Sequence, residues 1–189
     1  MTVVGLGNPG PRYLESRHNV GFRTVDLLSR RLAAPLARPW FRNFRLGAPK
    51  DRTVWLVQPL TFMNRSGEIF PALWSFTRGE ASSLVVVCDT LDLPPGQCRL
   101  RRGGSSAGHK GLASIIAGLG QADFLRLYVG IGRPAGREGV VDYVLGRPAG
   151  PEADALESGV RRAAEGVLAL LRDGPEKVMN AINQRAAQP

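Results

Sequence analysis

With 189 residues, the chain is long enough for one domain with a sizeable core, and its 43% hydrophobic content argues against overall disorder. No run approaches the roughly 18 apolar residues of a membrane span, and the N-terminus carries neither the basic nor the continuous apolar segment of a secretory leader. The formal net charge is +9 with a pI near 10.7, and only Lys50, Lys110 and Lys177 among the 25 basic residues are lysines. Arginine suits planar contacts to phosphate, so a polyanionic partner fits; an arginine excess that only reflects base composition and aids solubility fits as well.

The apolar run Thr2 to Gly5 reads as a first strand buried on both faces. A helix is expected from about Asn19 to Leu32, with Phe22, Val25, Leu28 and Leu32 on one face. FRNFRLGAPKDRTVWLVQP predicts two strands joined by a Gly-Ala-Pro-Lys-Asp turn. Ser66 is then expected to cap a helix running to about Phe76, provided Pro71 falls in its first turns.

LVVVCD, from Leu84 to Asp89, is the clearest buried strand. Gln97 to Arg102 and Leu125 to Gly130 predict two more, on either side of a helix in GLASIIAGL. Leu156, Val160, Ala163, Ala164, Val167, Leu168 and Leu171 mark an amphipathic helix that Gly174-Pro175 stops, followed by a short helical tail in EKVMNAINQ. Strands alternating with helices, plus one hairpin and no linker, predict one domain over residues 1–189. It is an α/β three-layer sandwich with helices flanking a twisted, mixed and largely parallel sheet. Cys88 and Cys98 lie in strand-like runs without a CxxC partner and read as buried reduced thiols in a cytosol-like compartment.

Gly5-Leu6-Gly7-Asn8-Pro9-Gly10 spells GxGxxG after the first strand. A dinucleotide site needs its third glycine inside a helix that begins at the motif. Pro9 and Pro11 prevent that, and no acid-terminated strand follows about 20 residues on. The loop must serve something else. His18, just before the first helix, has the intrinsic basicity of a general base, although a surface or helix-capping histidine is the plainer reading. Asp89 tips the balance: it ends the most apolar strand, and open α/β sheets place their sites beyond strand carboxyl ends. Asn8, His18 and Asp89 are therefore expected at one sheet edge, with Asp89 fixing the tautomer of His18 and Nε2 left to take a proton from water. Asp92 reads as a structural acid capping the turn before Pro94.

Asn64, in QPLTFMNRSG, suits donation to a developing oxyanion, or else it is a turn asparagine bonding its own backbone. Thr61, Phe62 and Met63 are either the wall of an apolar pocket or part of the core. Arg99, Arg101 and Arg102 precede GGSSAGHKGL, a small-residue loop that a ligand backbone could approach closely while the arginines meet phosphate; a flexible loop beside a solvated strand is the alternative. No GxSxG elbow frames its serines, and two histidines and two cysteines at these spacings match no metal-ligand pattern.

GLGNPGPRYLESRHNVGF, QPLTFMNRSG, LDLPPG and GGSSAGHKGL, in this order, with VGIGRP and DYVLG near the end, resemble the bacterial peptidyl-tRNA hydrolase family over nearly the whole chain. The resemblance implies a hydrolase that cuts the ester between a peptide C-terminus and the 3′ ribose of tRNA, recycling tRNA without metal or organic cofactor. It implies His18 as general base and Asp89 as its orienting carboxylate. The resemblance further implies that Asn8 and Asn64 hold the peptide main chain and reacting centre, with Tyr13 and Phe62 near the cleft. His109 and Lys110 are implied in the substrate groove, and Arg101 with Arg102 at acceptor-stem phosphate. A cytoplasmic monomer without membrane attachment is implied too. Three positions depart from the family pattern: Lys110 stands where asparagine is usual, Thr90 where an acid often follows the aspartate, and Tyr128 where arginine is common. Two other functions compete: a non-catalytic RNA-binding relative, like the plant organelle splicing factors of this fold, and an esterase for small acyl compounds.

Overall fold

The computed structural model describes residues 1–134 and 139–186 of the chain, and among these six strands form one sheet in the order β2-β3-β1-β4-β6-β5. In chain order the elements are β1 (Thr2–Gly5), α1 (Val20–Arg31), β2 (Phe44–Gly47), β3 (Trp55–Pro59), α2 (Phe70–Thr77), β4 (Leu84–Thr90), β5 (Cys98–Arg102), α3 (Lys110–Leu119), β6 (Leu125–Gly130), α4 (Val140–Leu145), α5 (Pro151–Asp173) and α6 (Pro175–Ala186). β3, β1, β4 and β6 run parallel, while β2 and β5 close the two edges antiparallel. This is the mixed, largely parallel sheet that the alternating pattern predicts.

The central strands are apolar throughout because both faces are covered. Val3, Val85, Val87 and Leu56 pack against α1 and α5 on one side, and Val4, Val86, Cys88 and Val57 pack against α2 and α3 on the other. Each such fully buried aliphatic side chain contributes about 1.5–3 kcal/mol. The period of two sends alternate residues to opposite layers, and the sandwich has three layers for that reason.

One close approach sets the site. A Cβ added at Gly21 would lie 2.4 Å from both Leu6 N and Val87 O, and one at Gly5 would lie 2.3 Å from Gly21 O. With no side chains between them, the first turn of α1 rests directly on the backbones of β1 and β4. Phe22 N–H donates to Leu6 O at 3.1 Å, so the segment before α1 is carried to the carboxyl ends of those strands. At the far edge, Asn183 of α6 serves both outward-facing backbone groups of Leu100 in β5, accepting from its N–H and donating to its carbonyl at 3.0 Å each.

Two local expectations are corrected. Ser66 does not cap a helix; it lies inside a 3-10 segment (Met63–Ile69) and donates to Met63 O at 2.9 Å. α2 begins later, at Phe70, with Pro71 in its first turn, where a missing N–H costs nothing. The side chain of Asp92 does not cap its turn but pairs with Arg133 at 2.5 Å. α4 was not anticipated: it is six residues long and rich in valine, a poor helix former. Both cysteines are free and buried. Burial raises the Cys88 thiol well above its usual range and pushes Cys98 up to about 12, which leaves both as inert core thiols.

Candidate active site

The carboxyl ends of β1 and β4 bring together Asn8, His18 and Asp89, with His109 arriving from the start of α3. His18 Nδ1 lies 2.6 Å from Asp89 Oδ1. The carboxylate is 3% exposed and the imidazole 12%. Asp89 ionises against the penalty of burial, but the charges and hydrogen bonds of the two imidazoles outweigh it and hold the carboxyl well below the ordinary carboxylate range. A charged carboxylate only accepts, so His18 Nδ1 is the N–H donor. Its Nε2, without a partner among the described residues, is the basic atom. This is the arrangement expected from the sequence.

Asn8 is 7% exposed and rigidly held. Its backbone N–H donates to Asn19 Oδ1 at 2.8 Å, Asn19 Nδ2 donates to its carbonyl at 3.0 Å, and its own Oδ1 accepts from Met63 N–H at 2.8 Å. With Oδ1 occupied, Nδ2 is the atom left to offer, and it has no partner among the described residues. Asn64, next to Met63, is exposed, and its side chain has no hydrogen-bond partner among the described residues, so it is not a turn asparagine closed on its own backbone. Met63 belongs to the core while Phe62 is 55% exposed, so the two readings of that segment divide between neighbouring residues. The 3-10 segment carrying Asn64 is pressed against α3: a Cβ at Gly67 would lie 1.9 Å from Ser114 O. Tyr13 is half-buried, with the Arg12 guanidinium 5.8 Å from its ring centre.

His109, expected in the substrate groove, is tied into the protein at both edges of its ring. Its Nε2 lies 3.0 Å from Asp89 Oδ1, and its Nδ1 accepts from the backbone N–H groups of Gly111 and Leu112. Both ring nitrogens are engaged inside the protein. Lys110, the first residue of α3, is exposed and forms no ion pair among the described residues.

Arg101 and Arg102 are both exposed but, as consecutive strand residues, point to opposite faces. Arg102 pairs with Asp123 at 3.5 Å. Arg101 shares its face with its cross-strand partner Arg126, the side of the sheet that carries α3. Thr90 Oγ1 accepts from Asp92 N–H at 3.2 Å. Tyr128 is half-buried beside Arg126, and burial raises its hydroxyl above the ordinary tyrosine range.

Three contributors escaped sequence reasoning. Asn19 is fully buried; the signal was a polar residue beside His18 at the mouth of an apolar helix. Arg17 makes two hydrogen bonds to Glu152, at 2.6 and 2.7 Å, and one to Tyr143 O, with its guanidinium 4.2 Å from the Tyr143 ring centre. Those hydrogen bonds from Arg17 hold Glu152 below its usual range, and the clamp ties the His18 segment to α4 and α5. Arg126 is 0% exposed and donates to the carbonyls of Gly104, Ser105 and Ala122. It pins the start of the GGSSAGHKGL loop.

His18, Asp89 and His109 also place three metal-type donor atoms within 4.8 Å of one another, a convergence that linear spacing hides. Two ligands of a tetrahedral zinc stand about 3.3 Å apart, whereas the His18–Asp89 contact is 2.6 Å, a hydrogen-bond distance. A basic nitrogen backed by a buried carboxylate, beside a fixed amide donor, suits activation of water toward an acyl carbon.

A family model described as peptidyl-tRNA hydrolase matches residues 2–189. The chain is 43% identical over 182 residues to a peptidyl-tRNA hydrolase of Geobacillus kaustophilus, covering 96% of this chain and 98% of that protein. Identity to the peptidyl-tRNA hydrolase of Bacillus licheniformis is 42% over 186 residues, with 98% and 99% coverage. The crystal structure of peptidyl-tRNA hydrolase from Acinetobacter baumannii superposes with a TM-score of 0.86 at 33% identity, covering 98% of this chain and 94% of that one.

Proposed function

The chain belongs to the peptidyl-tRNA hydrolase family, and from that premise we propose that it hydrolyses the ester between a peptide C-terminus and the 3′ ribose of tRNA. The observation that carries the mechanism is the 2.6 Å contact of His18 Nδ1 with buried Asp89. His18 Nε2 takes a proton from water as the oxygen attacks the ester carbonyl carbon. Negative charge collects on the former carbonyl oxygen, which Asn8 Nδ2 and Asn64 are set to stabilise. The tetrahedral species collapses, the bond to the ribose oxygen breaks, and His18 returns its proton to that oxygen. Peptide acid and free tRNA leave, with one water consumed.

Phe62 and Tyr13 supply apolar surface beside the reacting group, while Arg101 and Lys110, exposed on the α3 side, are suited to the phosphates of the acceptor stem. A binding-only role would leave the His18–Asp89 pair without a task. Free buried thiols and a substrate made by translating ribosomes are in keeping with a cytoplasmic monomer of one domain. No described helix is long and apolar enough to cross a membrane.

The decisive assay compares an N-acylated aminoacyl-tRNA with the same tRNA bearing a free amino group. Cleavage of the acylated substrate with the free one spared supports the reading. No cleavage of the acylated substrate, or cleavage indifferent to salt and to Arg101 neutralisation, overturns it.

A further inference from the structure

His109 joins the Gly-rich loop to α3, and its two ring nitrogens meet opposite kinds of group. Nδ1 lies 3.1 and 3.2 Å from the N–H groups of Gly111 and Leu112, first-turn amides that have no carbonyl partner within the helix. Amides donate only, so Nδ1 is the bare nitrogen and Nε2 carries the hydrogen. That Nε2–H lies 3.0 Å from Asp89 Oδ1, the same oxygen that His18 Nδ1–H approaches at 2.6 Å. Two imidazoles, 5.2 Å apart and tilted by 45°, thus donate to a single carboxylate oxygen.

Helix capping alone does not call for histidine. Serine, threonine, asparagine or aspartate at this position satisfies the same amides through oxygen. A serine there would face the amides and have no second edge to turn toward Asp89. The ring does both because its nitrogens sit on opposite sides of the cap position.

We propose that His109 is a positioning residue for the hydrolysis described above, an imidazole fixed by α3 as the Nε2–H tautomer that aims Asp89 and shares its charge. The inference rests on that reading of the reaction. Held from two sides, Oδ1 stays in line with His18. Because its charge is divided between two donors, it draws less strongly on the N–H of His18. The titratable groups facing this contact are Asp89 from β4 and His18 from the segment before α1. Lys110 is exposed on α3, and no other titratable side chain among the described residues hydrogen-bonds to the three.

The test separates the two roles of the ring in the full-length protein. Nitrogen-15 NMR of the wild type at neutral pH is expected to show His109 as the Nε2–H tautomer. His109→Ala should lower both melting temperature and kcat. His109→Ser should recover most of the lost melting temperature but not kcat, which stays about tenfold or more below wild type. Its KM for the acylated substrate should stay near wild type, since the loss falls on kcat. An Nδ1–H tautomer in the wild type, or a His109→Ser enzyme with wild-type kcat, would overturn the proposal, and the tautomer decides even if neither variant folds. A folded wild type inactive on acylated tRNA removes the functional reading and the positioning role together, a result distinct from an active enzyme indifferent to His109→Ser.

Discussion

Asn19 grips Asn8 by both backbone groups, accepting from its N–H at 2.8 Å and donating to its carbonyl at 3.0 Å. An extended strand partner would satisfy those groups equally, but a strand would block the sheet edge. A single buried amide completes the backbone hydrogen bonding and leaves the edge open above Asn8.

Asn8→Asp isolates the donor function of this residue. The carboxylate keeps an oxygen for Met63 N–H, so melting temperature should change little, while loss of the Nδ2 donor should reduce kcat/KM by roughly 10²-fold. Steady-state kinetics on an acylated aminoacyl-tRNA check it; an activity close to wild type would remove Asn8 from the reacting centre.

His18→Ala should lower kcat by about 10²–10⁴-fold, the usual contribution of a general base, with the fold intact by circular dichroism. Retained turnover would mean that another group activates the water.

Asp89→Asn should cost kcat on a similar scale and also alter stability with a definite sign. The folded carboxyl titrates below its unfolded value, which is near 3.9 for aspartate. The stabilisation from its charged form is therefore complete above that value and is lost as pH falls toward the folded one. Relative to Asp89→Asn, the wild-type melting temperature should lose ground between about pH 5 and about pH 2. A difference constant over that window would contradict a charged Asp89.

Arg101→Gln and Arg102→Gln should behave differently. Arg101 lies on the sheet face that carries α3 and has no ion pair among the described residues, whereas Arg102 faces the other way toward Asp123. Neutralising Arg101 should raise KM and reduce the slope of log KM against log salt by about one; neutralising Arg102 should do much less. Equal effects would argue for a phosphate path spanning both faces.

Much of this was legible in the linear chain. β1 and β4 announced themselves because strands covered on both faces have no polar alternation, and Asp89 stood out as a charge ending such a strand. The role of Asn19 was not legible, since it depends on Gly5 and Gly21 bringing two backbones into contact. Arg126 looked like one more basic strand residue; only the fold seals it beneath the loop it holds. Arg101 and Arg102 read as a patch because adjacent letters look adjacent in space, which the pleat of a strand denies. Ser66 resembled a cap because a serine preceding an apolar run fits that motif, yet the apolar run coils first as a 3-10 segment and turns α-helical only where Pro71 has no N–H to waste.

The side chain of Asn183 against Leu100 has a consequence for the protein in a crowded solution. A sheet margin with free amides and carbonyls invites a neighbouring chain to add a strand. Here one carboxamide impersonates the peptide unit of the missing neighbour and turns such recruits away. Asn183→Ala should leave the chemistry alone and instead make concentrated protein prone to self-association, visible as rising light scattering. The last helix thus doubles as a guard against adhesion.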